Sequence, residues 1–128
     1  MNITLWVLQV VLALAFLAHG ILFLIPPPDI AALMNAFLPR WFQLFLGVAE
    51  VLAAIGLTLP GLTRIMPGLV PAAAAGVMIV TVSATVLHLS RGEFSSAVTT
   101  FVLLLIATFV GYGRWRSLPI APRRAATS

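Results

Sequence analysis

The chain has 128 residues, 62% of them hydrophobic and 8% charged, and a mean hydropathy of +1.15, which leaves too little polar surface to cover a soluble domain. The net charge of +4 and pI near 11.6 come from seven basic residues, all Arg, and no basic patch interleaves with aromatics, which argues against a nucleic-acid partner. With no Cys, disulfides, thiol redox catalysis, iron–sulfur clusters and thiolate metal sites are excluded, and a redox role would run through a borrowed cofactor that the residues do not identify.

Residues 3–25 form an apolar run broken only by Thr4, Gln9 and His19. At about 1.5 Å per residue the run spans a hydrocarbon core roughly 30 Å thick. It lacks a basic n-region and exceeds the h-region of a secretion signal, so it reads as a retained span. Pro26, Pro27 and Pro28 end it. Asp29 then reads as the N-cap of a short helix over residues 30–38, with Ile30, Leu33, Met34, Phe37 and Leu38 on one face. Too short to span, this helix is expected in the interface plane, as a lid over one end or as a plain connector.

The second span, residues 41–59, starts at the interfacial anchors Arg40 and Trp41 and is expected to stop at Pro60 and Gly61. It sets one acid, Glu50, in mid-span, where a carboxylate costs a few kcal/mol on even the milder insertion scales and so must face protein, a partner or trapped water. Gln43, Gly47, Glu50 and Ala54 share a small, polar face with it. The third span, residues 68–89, tolerates Pro71 in its first turn and carries the stripe Met78, Thr81, Thr85 and His88. Thr81 and Thr85 can line a pocket or simply bond back to their own helix carbonyls.

Ser90, Arg91, Gly92 and Glu93 break the helix, and Ser95 or Ser96 is expected to cap the fourth span, residues 96–112. The pairs Ala49/Ala53, Ala72/Gly76 and Ala107/Gly111 allow close approach of helices in lipid. The expected organisation is all-α: a polytopic membrane protein with a single four-transmembrane-helix bundle over residues 1–113, a short interfacial helix between spans one and two, and an Arg-rich tail over 114–128.

The tail holds Arg114, Arg116, Arg123 and Arg124, and the second connection adds Arg64; Arg40 and Arg91 lie on the other side. The positive-inside rule then puts both termini in the cytoplasm of a cell-membrane protein. By helical rise Glu50 lies about 14 Å below Trp41, His19 about 9 Å from Ile25 and His88 about 5 Å from Arg91. Side chains lean toward the N-terminus of their own helix, so Glu50 leans outward and both histidines inward, and the three are expected to converge. A carboxylate beside imidazoles can offset burial costs, move a proton or hold a polar ligand head.

The segments LAFLAHG, LGVAEVLAAIGLTLPG, HLSRGE and YGRW together resemble the DoxX-like membrane proteins over almost the whole chain before the tail. The resemblance implies a four-helix membrane fold and points to Glu50 and His88 as the family's acid in span two and histidine in span three. The family is named for small subunits associated with quinone-linked sulfur oxidation, and some relatives are thought to be assembly factors or receptors. Many members place a Lys three residues after the glycine of span one, where this chain has Phe23; His19 can take the role of that base.

Two functional readings follow. One is a site for a small apolar molecule such as a quinone, terpenoid or other lipid, with Glu50 as proton acceptor, His88 or His19 as donor, and Gln43, Gly47, Thr81 and Thr85 lining the pocket. The other is a non-catalytic assembly or accessory subunit that docks a membrane protein partner or a second copy of itself. A proton path is disfavoured because no second acid continues a relay below Glu50, where Gln9, Thr58 and Tyr112 are the polar residues. Metal binding is disfavoured because two His and one Glu on separate helices lack short-range ligand spacing.

Overall fold

A computed structural model describes residues 1–123. Its helices are α1 (Asn2–Leu24), α2 (Pro28–Phe37), α3 (Arg40–Thr63), α4 (Leu69–Ser90) and α5 (Phe94–Tyr112), the last running into a π-helical turn, Gly113–Ser117. Four of them, α1, α3, α4 and α5 continued through Ser117, are long and apolar enough to cross a membrane. No strand occurs among the described residues. The chain is thus an all-α, multi-pass membrane protein: a four-helix bundle with a short helix between its first two spans.

Helical spacing decides what is buried. On α1 the inward stripe is Leu5, Gln9, Leu12, Ala13, Phe16 and Gly20. On α3 it includes Gln43, Gly47, Glu50 and Ala54, the four residues expected to share a face. The large apolar side chains off these stripes, such as Val7, Leu14, Phe45 and Leu52, are exposed and suit a lipid surround. α1 packs mainly on α3 and α4 mainly on α5, while α3 against α4 joins the two pairs; α1 meets α5 less extensively. Leu12, Phe16, Leu57, Val77 and Val110 fill the centre.

Several expected boundaries move. α2 begins at Pro28 with Pro27 at its cap, and Asp29 lies inside the first turn without capping by its side chain; the fixed φ of proline suits the first helical position, where its missing N–H is not needed. Pro60 does not end α3, which continues to Thr63. A proline so close to a helix end removes one N–H donor, a loss that membrane helices accommodate. The helix stops instead at Arg64, whose φ of 59° and ψ of 21° are left-handed. α5 starts at Phe94 after Glu93, so neither Ser95 nor Ser96 is its cap.

The C-terminal segment also differs from a free tail. Helical structure runs on through Ser117, and Arg114 follows Ala107 and Val110 on the buried face. Beyond it the Arg64 Nε donates to the Ala121 carbonyl at 2.9 Å, and the Arg123 N–H donates to the Arg64 carbonyl at 2.7 Å. Arg124, counted with the tail above, lies outside the described residues.

Candidate functional site

The site is built where α1 crosses α3. A Cβ at Gly20 would lie 2.9 Å from the Gly47 carbonyl oxygen and 3.2 Å from the Glu50 Cβ, so only glycine allows the two backbones this close. That crossing sets His19 beside Glu50. The His19 Nδ1 and the Glu50 Oε2 are 2.7 Å apart. Glu50 is buried, with 3% of its side chain exposed, whereas His19 keeps 52% of its side chain exposed. The Phe23 ring stands edge-on to His19, with centroids 4.5 Å apart, so the open imidazole has an aromatic neighbour one turn along.

Glu50 also borders a groove of about 410 Å³ between α3 and α4. The groove exists because small residues face each other without closing. α3 and α4 touch at Gly56, where a Cβ would lie 2.9 Å from the Ala73 Cβ, but nothing comes within 4 Å of a Cβ at Gly76. Ala49, Ala53, Ala72 and Gly76 form much of the wall, Phe16 reaches it from α1, and Glu50 is its sole polar side chain. The pairs Ala49/Ala53 and Ala72/Gly76 therefore line open space.

His88 is paired elsewhere. Its Nδ1 lies 3.0 Å from the Glu93 Oε1, which is also 3.6 Å from the Arg91 Nη1. Among the described residues no three His, Asp or Glu side chains gather closely enough to hold a metal ion. The structure thus brings Glu50 and His19 together and leaves His88 in a second cluster at the α4–α5 turn. Sequence reading overlooked Glu93 because its partner is decided by how that turn folds.

That second cluster holds α2. The Arg91 guanidinium sits 3.8 Å over the Phe37 ring. From the other side Gln43, fully buried, donates from Nε2 to the Asn35 Oδ1 and to the Leu38 carbonyl, both at 2.9 Å. Arg40 donates to the Phe23 and Leu24 carbonyls at 2.9 and 2.8 Å, satisfying the C-terminal end of α1. Gln43 therefore anchors the short helix, and Gly47 serves the α1–α3 crossing; neither borders the groove.

Thr81 is buried and donates to the Val77 carbonyl at 2.8 Å. Thr85 donates to the Thr81 carbonyl at 2.7 Å and lies 2.8 Å from the Thr100 hydroxyl on α5. Both bond back to their own helix, and neither borders the groove.

A buried polar cluster that the sequence reading did not assemble closes the opposite end. Arg114 is 3% exposed and donates to the Gln9 Oε1 at 2.6 Å, the Asn2 Oδ1 at 2.7 Å and the Leu118 carbonyl at 3.1 Å. Gln9 in turn donates to the Leu57 carbonyl at 2.8 Å, so α1, α3 and the end of α5 are tied together. The signal available beforehand was the spacing: Gln9 falls in the stripe of Leu5, Leu12 and Phe16, and Arg114 continues that of Ala107 and Val110.

The profile of the DoxX-like family matches residues 7–110, a stretch that includes His19, Glu50 and His88 and ends before Arg114. No curated protein and no solved structure matches the chain.

Proposed function

We propose that this chain, which belongs to the DoxX-like family, binds a small, largely apolar molecule taken from the bilayer, such as a quinone, a terpenoid or another lipid. The polar head meets Glu50, which His19 backs from α1, and the apolar body lies in the α3–α4 groove. One observation carries this reading: a single carboxylate, hydrogen bonded to an imidazole, is the sole polar side chain on the wall of an apolar groove of about 410 Å³. That volume suits a small-molecule site, which is typically apolar with a few placed polar groups. Glu50 accepts a proton from the head or holds it by hydrogen bonding, with His19 as the adjoining proton carrier. His88 contributes at a distance, through Glu93 and Arg91, to keeping α2 in place.

The charge distribution supports a direction of insertion. Arg64, Arg114, Arg116 and Arg123 gather at the end where the C-terminal segment folds back, whereas Arg40 and Arg91 share the α2 end with Asp29 and Glu93. We propose that the first of these ends, with both termini, is cytoplasmic. The groove is then entered sideways from lipid.

Mass spectrometry of the protein purified in mild detergent tests the binding reading. The parent is expected to carry an apolar molecule and Glu50→Gln to lose it while melting within a few degrees of the parent. Glu50→Ala leaves His19 without its partner and is expected to lose about 1–3 kcal/mol of stability as well. Retention of the molecule by both variants would remove Glu50 from any site.

A further inference from the structure

The end of the bundle where the C-terminal segment folds back carries positive charge and, among the described residues, no acidic side chain. The chain's three acids are Asp29, Glu50 and Glu93; the first and last lie at the α2 end and Glu50 lies in mid-span. Arg64, Arg114, Arg116 and Arg123 lie at the other end, and none of them forms a salt bridge among the described residues. Arg114 is buried on uncharged partners, whereas Arg64, Arg116 and Arg123 are exposed.

Folding fixes two of these charges beside each other. Ile120 packs into a notch at Gly61, where a Cβ would lie 2.8 Å from the Ile120 Cδ1 and 2.8 Å from the Trp6 ring, and the chain beyond it crosses the α3–α4 connection. There the Arg64 Nε donates to the Ala121 carbonyl at 2.9 Å, and the Arg123 N–H donates back to the Arg64 carbonyl at 2.7 Å. The backbones of Arg64 and Arg123 are thus bonded directly, and both side chains are exposed. Like charges held side by side repel, and an anion from outside the chain relieves that repulsion.

The surroundings indicate which anion. Leu62, Ile65 and Met66, on either side of Arg64, are each more than half exposed, as are Tyr112 and Trp115 at the end of α5. Arg116 lies over the Trp115 ring at 4.6 Å. Exposed apolar side chains interleaved with cations, next to exposed Tyr and Trp, suit the boundary between hydrocarbon and headgroups, where lipid phosphates are the abundant anions. Arginine matches a phosphate with paired N–H donors.

We propose that Arg64 and Arg123 together hold the phosphate of an anionic phospholipid in the leaflet at this end of the bundle. Arg116 adds to the attraction, and Leu62, Ile65 and Met66 rest against the lipid chains. This site is separate from the α3–α4 groove and does not depend on what the groove binds.

Native mass spectrometry of the full chain in detergent, titrated with phosphatidylglycerol or with phosphatidylcholine of the same acyl chains, tests the proposal. Phosphatidylglycerol is expected to bind more tightly by about tenfold or more. Arg123→Gln keeps the backbone bond to Arg64 and is expected to weaken phosphatidylglycerol about fivefold, the effect of about one arginine at a membrane surface, while leaving phosphatidylcholine unchanged. Arg91→Gln removes the same charge from the α2 end and is expected to leave both lipids unchanged. Equal binding of the two lipids by the parent, or equal losses of phosphatidylglycerol in Arg123→Gln and Arg91→Gln, would overturn the site. Displacement of phosphatidylglycerol by millimolar inorganic phosphate would make it a site for the free ion and overturn the lipid assignment.

Discussion

Gly20 and Gly47 meet backbone to backbone: a Cβ at Gly20 would stand 2.9 Å from the Gly47 carbonyl oxygen, and one at Gly47 would stand 3.0 Å from that of Gly20. His19 and Glu50 flank this crossing, so the approach of two main chains sets the length of a side-chain hydrogen bond. Gly20→Leu is expected to push α1 from α3, cost about 1–3 kcal/mol by overpacking and weaken the His19–Glu50 bond. Gly76→Ala, where the added atom meets nothing within 4 Å in the interior of α4, is expected to leave stability unchanged or raise it by up to about 1 kcal/mol. Melting temperatures in one detergent check both, and equal values for Gly20→Leu and the parent would contradict the crossing.

The Arg114 cluster invites a double-mutant cycle. Arg114→Met leaves the Gln9 and Asn2 oxygens without their donor, at about 1–3 kcal/mol. Gln9→Leu leaves a buried guanidinium short of a partner, expected to cost about 3–5 kcal/mol. The double variant should be more stable than the sum of the single losses implies, by on the order of 1 kcal/mol or more. Additivity within about 0.5 kcal/mol would mean that the two side chains do not support each other.

α2 has no buried residue and is held at its C-terminal end by Phe37 under Arg91 and by Asn35 and Leu38 on Gln43. Phe37→Ala removes a contact worth about 0.5–1 kcal/mol, so backbone amides of residues 28–37 should exchange hydrogen roughly twofold to fivefold faster, with α3 and α4 unchanged. Unchanged exchange across α2 would show that the Arg91 contact does not hold it.

Insertion direction is open to fusion reporters. A reporter at Met66, in the connection between α3 and α4, or at the C-terminus is expected to read cytoplasmic and one at Gly92 external, following the Arg distribution. A cytoplasmic signal at Gly92 reverses the proposed orientation.

Much of this architecture was legible in the amino-acid sequence. Four apolar runs of membrane-crossing length, separated by Pro, Gly and Arg, leave a four-helix membrane bundle as the arrangement that satisfies every backbone polar group in lipid. The steps from Gln43 to Gly47, Glu50 and Ala54 identified the inward face of α3 for the same reason, since a mid-span carboxylate must turn from lipid. Helical periodicity is local, and a sequence carries it directly.

Tertiary structure decided which polar groups meet. Depth along the bilayer and side-chain lean put Glu50, His19 and His88 within a common zone, but the Gly20–Gly47 crossing gave Glu50 to His19, and the α4–α5 turn gave His88 to Glu93. Arg114 read as part of a polar tail, yet one more helical turn carried it into the bundle to Gln9, 105 positions away in the chain. Even the small residues of α3 and α4, which by pattern could have closed a tight interface, left a groove because the helices touch at Gly56 and Ala73 and open at Gly76. Such outcomes depend on relative helix placement, to which distant residues contribute together, and no local pattern records it.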